Sequence, residues 1–151
     1  MKLLLICTHN ACRSIIAEAI FCMIASDRIT AKSAGSSPRG QIHPLTIKHL
    51  NRREYDTTHL KSQSWDDFDD YQPDVVITLC DQAAGETCPV FFSNSLKIHW
   101  GIADPSKSIE NETKNFDEAI NILEKRTRRL LNETFETMTP AELKILFEKV
   151  I

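Results

Sequence analysis

Two hydrophobic patterns alternate along this chain. Short unbroken apolar runs lie at residues 3–6, 75–79 and 96–100. They carry little polar alternation and are too short to cross a membrane, so each predicts a strand buried on both faces. Stripes at helical spacing come between and after them. Ile16, Ala19, Ile20, Met23 and Ile24 predict a helix from about residue 14 to 26 with these side chains in the core. Phe116, Ala119, Ile120, Leu123, Leu130 and Leu131 predict one face of a long helix, and Pro140 opens a last helix whose Leu143, Leu146 and Phe147 face inward. Residues 29–34 predict a further strand closed by Gly35, which completes a strand–helix–strand unit with a right-handed crossover. Pro44 suits the first position of a short helix, and Ser64 is placed to cap a short acidic one over WDDFDD. Residues 35–44 and 55–64 read as irregular connections. Strands alternating with helices predict an α/β three-layer sandwich around a four-stranded parallel sheet.

Length and composition narrow the class. A chain of 151 residues makes one domain, 1–151, with a sizeable core. A net charge of −3 gives no reason to expect nucleic acid or an anionic membrane surface as partner. The first residues are not a secretory signal, since one Lys and a four-residue apolar run end in a polar loop. Five cysteines, odd in number and irregularly spaced, point to reduced thiols in the cytoplasm rather than a disulfide framework. Cys22, inside an apolar helix, reads as a small core residue.

The candidate chemistry starts where the first apolar run stops. Cys7 ends it, Arg13 follows after five residues, and Ser14 stands where the first helix begins. A strand, a short loop and a helix N-terminus in that order make an anion cradle, because loop amides and the helix dipole converge on one spot. Cys7 at its mouth is expected as a thiolate. The amides of Thr8, His9, Asn10, Ala11 and Cys12, the fork of Arg13 and the hydroxyl of Ser14 would bind an oxyanion beside it. Cys80 closes the 75–79 run, and Cys88 follows after seven residues that include Ala83, Ala84 and Gly85, read as a flexible loop. From spacing alone, either a thiol relay or two unrelated cysteines fits. His99 reads as a hydrogen-bonded structural residue. In an open parallel sheet, function gathers beyond the carboxyl ends of the strands. Cys7, Cys80 and the 101–106 loop are therefore expected on one rim.

The Cys7-x5-Arg13-Ser14 segment resembles the phosphate-binding loop of the low-molecular-weight protein tyrosine phosphatase superfamily. LCDQAAGETCPVFF and HWGIADPS, in that order, resemble the cysteine and acid loops of its arsenate reductase branch. Ile15 stands where the phosphatases have Pro, and Ile102 and Ala103 offer no aromatic wall for a phosphotyrosine ring. The resemblance implies arsenate reduction to arsenite, or, as the alternative, phosphate monoester hydrolysis. A non-catalytic anion sensor is the rival from another class. The resemblance implies Cys7 as nucleophile, Asp104 as general acid held by Pro105, Cys80 as resolving cysteine and Cys88 as final exchange cysteine. No cofactor is expected beyond a monovalent cation beside the loop, near Asn10, Glu18 and Ser33. The chain departs from the family at His9, where many members have Gly; if the loop needs a positive φ there, His9 bears the strain. The Cys80–Cys88 interval is longer than in thioredoxin-coupled members, which leaves thioredoxin and glutaredoxin with glutathione both open as reductant. Cys12 reads as a bystander thiol or a disulfide partner for Cys7.

Overall fold

Four strands form the centre of the molecule: β1 (Lys2–Ile6), β2 (Thr30–Ala34), β3 (Val75–Thr78) and β4 (Leu96–His99). The structure is a computed structural model and describes residues 1–151. All neighbouring strands are parallel, in the order β2-β1-β3-β4. Five helices complete the fold: α1 (Arg13–Ile24), α2 (Pro44–Arg52), α3 (Asp81–Gly85), α4 (Glu112–Leu131) and α5 (Pro140–Lys149).

The apolar run of β1 is explained by what covers it. Alternate strand residues face opposite sides. Leu3 and Leu5 point into a large core with Ile16, Ile20, Phe116, Leu123 and Phe147, from α1, α4 and α5. Leu4 and Ile6 point into a smaller core with Phe68, Val76, Ala83 and Phe92. The second cover is thin, built from two turns of 3-10 helix (Trp65–Phe68 and Val90–Phe92) and from α3. This is the expected α/β sandwich, with unequal outer layers.

Capping chemistry sets several helix starts. Pro44 and Pro140 both occupy the first turn of their helices. Thr139 and Glu142 form a reciprocal capping box on α5, and Ser64 and Asp67 form another on the 3-10 turn at Trp65.

Three expectations need correction. Met23 is 58% exposed. Residues 14–21 of α1 are all buried, between the sheet on one side and α2 and α4 on the other, and only the last turn emerges beyond that cover. The 81–85 stretch is a short helix rather than a flexible loop, because Cys80 caps it through a hydrogen bond from the Ala83 amide at 3.4 Å. Residues 55–64 are irregular as expected, yet Tyr55 and Leu60 enter the large core, where the Tyr55 hydroxyl donates to Glu124 at 2.5 Å.

The strand order fixes where a site can form. From β1 the chain steps outward to β2, then returns to β3 on the other side of β1. The direction of winding reverses between β1 and β3, which opens a crevice beyond their carboxyl ends. Cys7 follows β1 and Cys80 lies two residues past β3, so both border that crevice.

Candidate functional site

The loop from Cys7 to Arg13 is held from outside by its carbonyls. Thr8 O accepts from the Ser37 amide (2.9 Å), His9 O from Arg39 (3.0 Å) and Ala11 O from His43 (3.0 Å). Thr46 Oγ1 also donates to Ala11 O at 3.2 Å. The amides of residues 8–14 donate to no protein acceptor. With carbonyls bound outward and amides unpaired, the loop has the donors of an anion cradle at the start of α1. Gly35 lets β2 approach this closely: a Cβ there would lie 2.6 Å from Thr8 O.

One loop residue has positive φ, and it is Asn10 (φ 43°), not His9. Asn accepts the left-handed region more readily than most side chains. Asn10 is also fully buried, and its carboxamide ties the site together. Oδ1 accepts from the Gln63 amide (2.8 Å), while Nδ2 donates to Ser14 Oγ (2.8 Å) and Ser33 Oγ (3.0 Å). Ser33 in turn donates to Glu18 Oε2 at 2.5 Å. Ser14 Oγ lies 2.9 Å from Cys7 Sγ. Since Ser14 already accepts from Asn10, its proton is free to point at the sulfur. Asn10, Glu18 and Ser33 are thus together, as expected for a cation site. However, Asn10 turns its amino group, not a ligand oxygen, toward Ser33, and the three do not make an oxygen cage.

Arg13 and Asp104 face each other across the crevice. Arg13 Nη2 is 3.8 Å from Asp104 Oδ2, and Nη1 donates to Ile102 O at 3.3 Å. Asp104 Oδ1 accepts from both the amide (2.9 Å) and hydroxyl (2.7 Å) of Ser106. Burial pushes the Asp104 carboxyl up, but the two Ser106 bonds, Arg13 and His43 outweigh it, so the group sits below its ordinary range. An open cavity of about 960 Å³ lies here, with Thr8, His9, Arg13, Arg39, His99 and Asp104 in its lining.

The cysteines fall into distinct environments, all as free thiols. Cys7 and Cys80 belong to the same buried cluster on the thin side of the sheet. Thr8 Oγ1 lies 3.6 Å from Cys80 Sγ, so the residue after Cys7 reaches the second thiol. Cys88 is half-buried on the turn after α3, outside that cluster. Burial pushes the Cys12 thiol up to about 12, which keeps it protonated and unreactive near neutral pH. Cys22 is half-buried rather than a full core residue. His99 is hydrogen-bonded through both ring nitrogens, to Thr78 (2.9 Å) and Asp81 (3.1 Å).

Sequence reasoning missed Asn10 as the strained and connecting residue, and Ser106 as the anchor of Asp104. The second was readable, because Asp-x-Ser is a side-chain turn pattern.

A cysteine at the switch point of a parallel sheet, beside amides and an arginine aimed at one anion, defines a class of α/β proteins that bind oxyanions next to a thiol. The sequence profile described as low molecular weight phosphotyrosine protein phosphatase matches residues 2–141, and the chain belongs to that family. A protein of Staphylococcus epidermidis named arsenate reductase 1 is 37% identical over 101 residues, covering 67% of this chain and 75% of that one. An arsenate reductase of Halalkalibacterium halodurans is 34% identical over 103 residues, 68% of this chain and 73% of the other. Among solved structures, an arsenate reductase from Archaeoglobus fulgidus matches with a TM-score of 0.70 at 25% identity, over 87% of this chain and 99% of that one.

Proposed function

We propose that the chain reduces arsenate to arsenite, with its own cysteines supplying the two electrons. The names of its relatives favour this over phosphate ester hydrolysis. The observation that carries it is the placement of Cys80, whose sulfur sits 3.6 Å from the hydroxyl of Thr8, next in sequence to Cys7. A phosphatase has no use for that second thiol.

In this reading arsenate enters the cradle and takes hydrogen bonds from the amides of residues 8–14 and from Arg13. Ser14 donates to Cys7 and favours its thiolate. The Cys7 thiolate attacks arsenic(V), a sulfur–arsenic bond forms, and one arsenate oxygen leaves as water. Asp104 delivers a proton to that oxygen. Asp104 is ionised in the free protein, so it first takes a proton from the monoprotonated arsenate. The incoming dianion both engages Arg13 and adds negative charge beside Asp104, and each effect raises the proton affinity of the carboxylate. Cys80 as thiolate then attacks Cys7 Sγ. The sulfur–arsenic bond breaks, its electron pair stays on arsenic, arsenite leaves, and a Cys7–Cys80 disulfide remains.

The last step needs α3 to unwind. Cys80 can no longer accept the Ala83 amide once it is drawn to Cys7, and a helix of five residues is marginal without its cap. Unwinding frees the chain between Cys80 and Cys88, and Cys88 then attacks Cys80 and exposes the disulfide to thioredoxin. Glutathione with glutaredoxin is the competing reductant, and it bypasses Cys88.

Cys80→Ser tests the assignment. With the thioredoxin system supplied, arsenite production should fall about a hundredfold or more, while binding of arsenate and phosphate is retained. Multiple turnover at the normal rate would remove Cys80 from the mechanism.

A further inference from the structure

A second group of metal-capable side chains lies at the far side of the loop. Glu18 and Cys22 are one turn apart on α1 and therefore share a face. His59, from the irregular 53–64 segment, comes to meet them. The carboxylate, thiol and imidazole ligand atoms lie within 4.8 Å of one another. Zinc-like bond lengths of about 2.0–2.3 Å put donors roughly 3.5 Å apart, so closure by about 1 Å or so completes the set.

The surroundings suit a metal. His59 Nδ1 lies 3.7 Å from Asp56 Oδ2, which orients the ring and leaves Nε2 as the donor. A carboxylate behind a metal-bound histidine is the usual outer support. Glu18 uses one oxygen for Ser33 and lines, with His59, a cavity of about 710 Å³ that is open to solvent. A mixed sulfur, nitrogen and oxygen set selects a borderline divalent ion over magnesium or calcium, and a solvent oxygen takes the fourth position. Lys32 and Lys61 line the same cavity and oppose the added charge. They set a limit on affinity but leave the donors free.

The site is also wired to the nucleophile. Glu18 Oε2 accepts from Ser33, Ser33 Oγ accepts from Asn10, and the same Asn10 nitrogen donates to Ser14, which contacts Cys7; the successive distances are 2.5, 3.0, 2.8 and 2.9 Å. A cation on Glu18 draws its carboxylate away from Ser33 and alters the hydrogen bonding of Ser14.

We propose that Glu18, Cys22 and His59 bind a divalent ion of the zinc class, and that this ion modulates Cys7 through Ser33, Asn10 and Ser14. Binding forms a metal–sulfur bond at Cys22 and releases the thiol proton to solvent; no electrons are transferred.

Cobalt(II) is the probe, titrated into fully reduced, metal-free protein. The expected result is one ion per chain with a thiolate-to-cobalt absorption band that zinc abolishes by displacement. The band is retained in Cys7→Ser and lost in Cys22→Ser. Asp56→Asn should weaken binding about tenfold or more. A band that survives in Cys22→Ser, or disappears in Cys7→Ser, or fails to form at all, overturns the site. Coupling is read separately as the rate of Cys7 alkylation by iodoacetamide. Zinc should change that rate at least about twofold in the parent and leave it unchanged in Cys22→Ser, whose zinc-free rate matches the parent. Equal rates with and without zinc in the parent refute the coupling even if the ion binds. Neither readout depends on arsenate chemistry.

Discussion

Asn10 carries the backbone conformation that bends the loop around its anion, and its side chain satisfies Gln63, Ser33 and Ser14 at once. A glycine could adopt the same φ but could not hold Ser14 toward Cys7. Asp104 shows a similar economy. Its Oδ1 is fixed by Ser106 and its Oδ2 is left toward Arg13. Because these partners hold the carboxyl below its ordinary range, the free protein contains the carboxylate across the neutral range, and the catalytic proton must arrive with the substrate. Asp104→Asn keeps the shape and removes the proton carrier. Its single-turnover rate of arsenite release should fall about a hundredfold, within the usual range for general acid catalysis. Its affinity for phosphate should change little. An unchanged rate would exclude Asp104 as the acid.

The elements around the site differ in how strongly they are held. β1 and α1 are locked between two cores, while α3 depends on a five-residue helix capped by a sulfur. A rigid cradle beside a fragile turn suits a reaction in which one cysteine stays and the other travels. At the opposite end of the sheet, Arg28 clamps the α1–β2 connection to the chain after α4. It donates to both oxygens of Glu136 (2.5 and 2.8 Å) and to the carbonyls of Leu131 and Glu133 (both 2.7 Å). Hydrogen bonding to Arg28 pulls the Glu136 carboxyl from 4.5 down to about 2. A depressed carboxyl stabilises the fold fully above its unfolded value and loses that effect as pH falls through its folded value. The urea midpoint should therefore decline less steeply between pH 4.5 and about 2 in Glu136→Gln than in the parent. Identical slopes would show that the clamp does not stabilise the fold through charge.

At the scale of the whole molecule, the parallel sheet and its reversal point between β1 and β3 bring Cys7, Cys80 and Asp104 to one rim. Much of this was legible in the sequence. Unbroken apolar runs gave the strands because both faces of the sheet are covered, and Cys7, Cys80 and Asp104 stand just past strand ends. What stayed illegible depends on contacts distant in sequence or on elements too short to have a period. α3 has five residues and no stripe, so it read as loop. Met23 kept the helical spacing of a core residue, but only the assembled fold shows that the cover ends before it. His59 meets Glu18 and Cys22 from an irregular segment with no pattern to announce it. The positive φ fell on Asn10 rather than His9, because the loop's hydrogen bonds, not residue preference alone, decide where it turns.

The most direct test of the central claim is a free-thiol count on reduced protein before and after one equivalent of arsenate, with no external reductant. All five cysteines begin as thiols. The account predicts loss of two thiols per chain, release of one arsenite, and a disulfide that maps to Cys7 and Cys80. Retention of all the thiols without arsenite release, or a disulfide between Cys7 and Cys12, would contradict it.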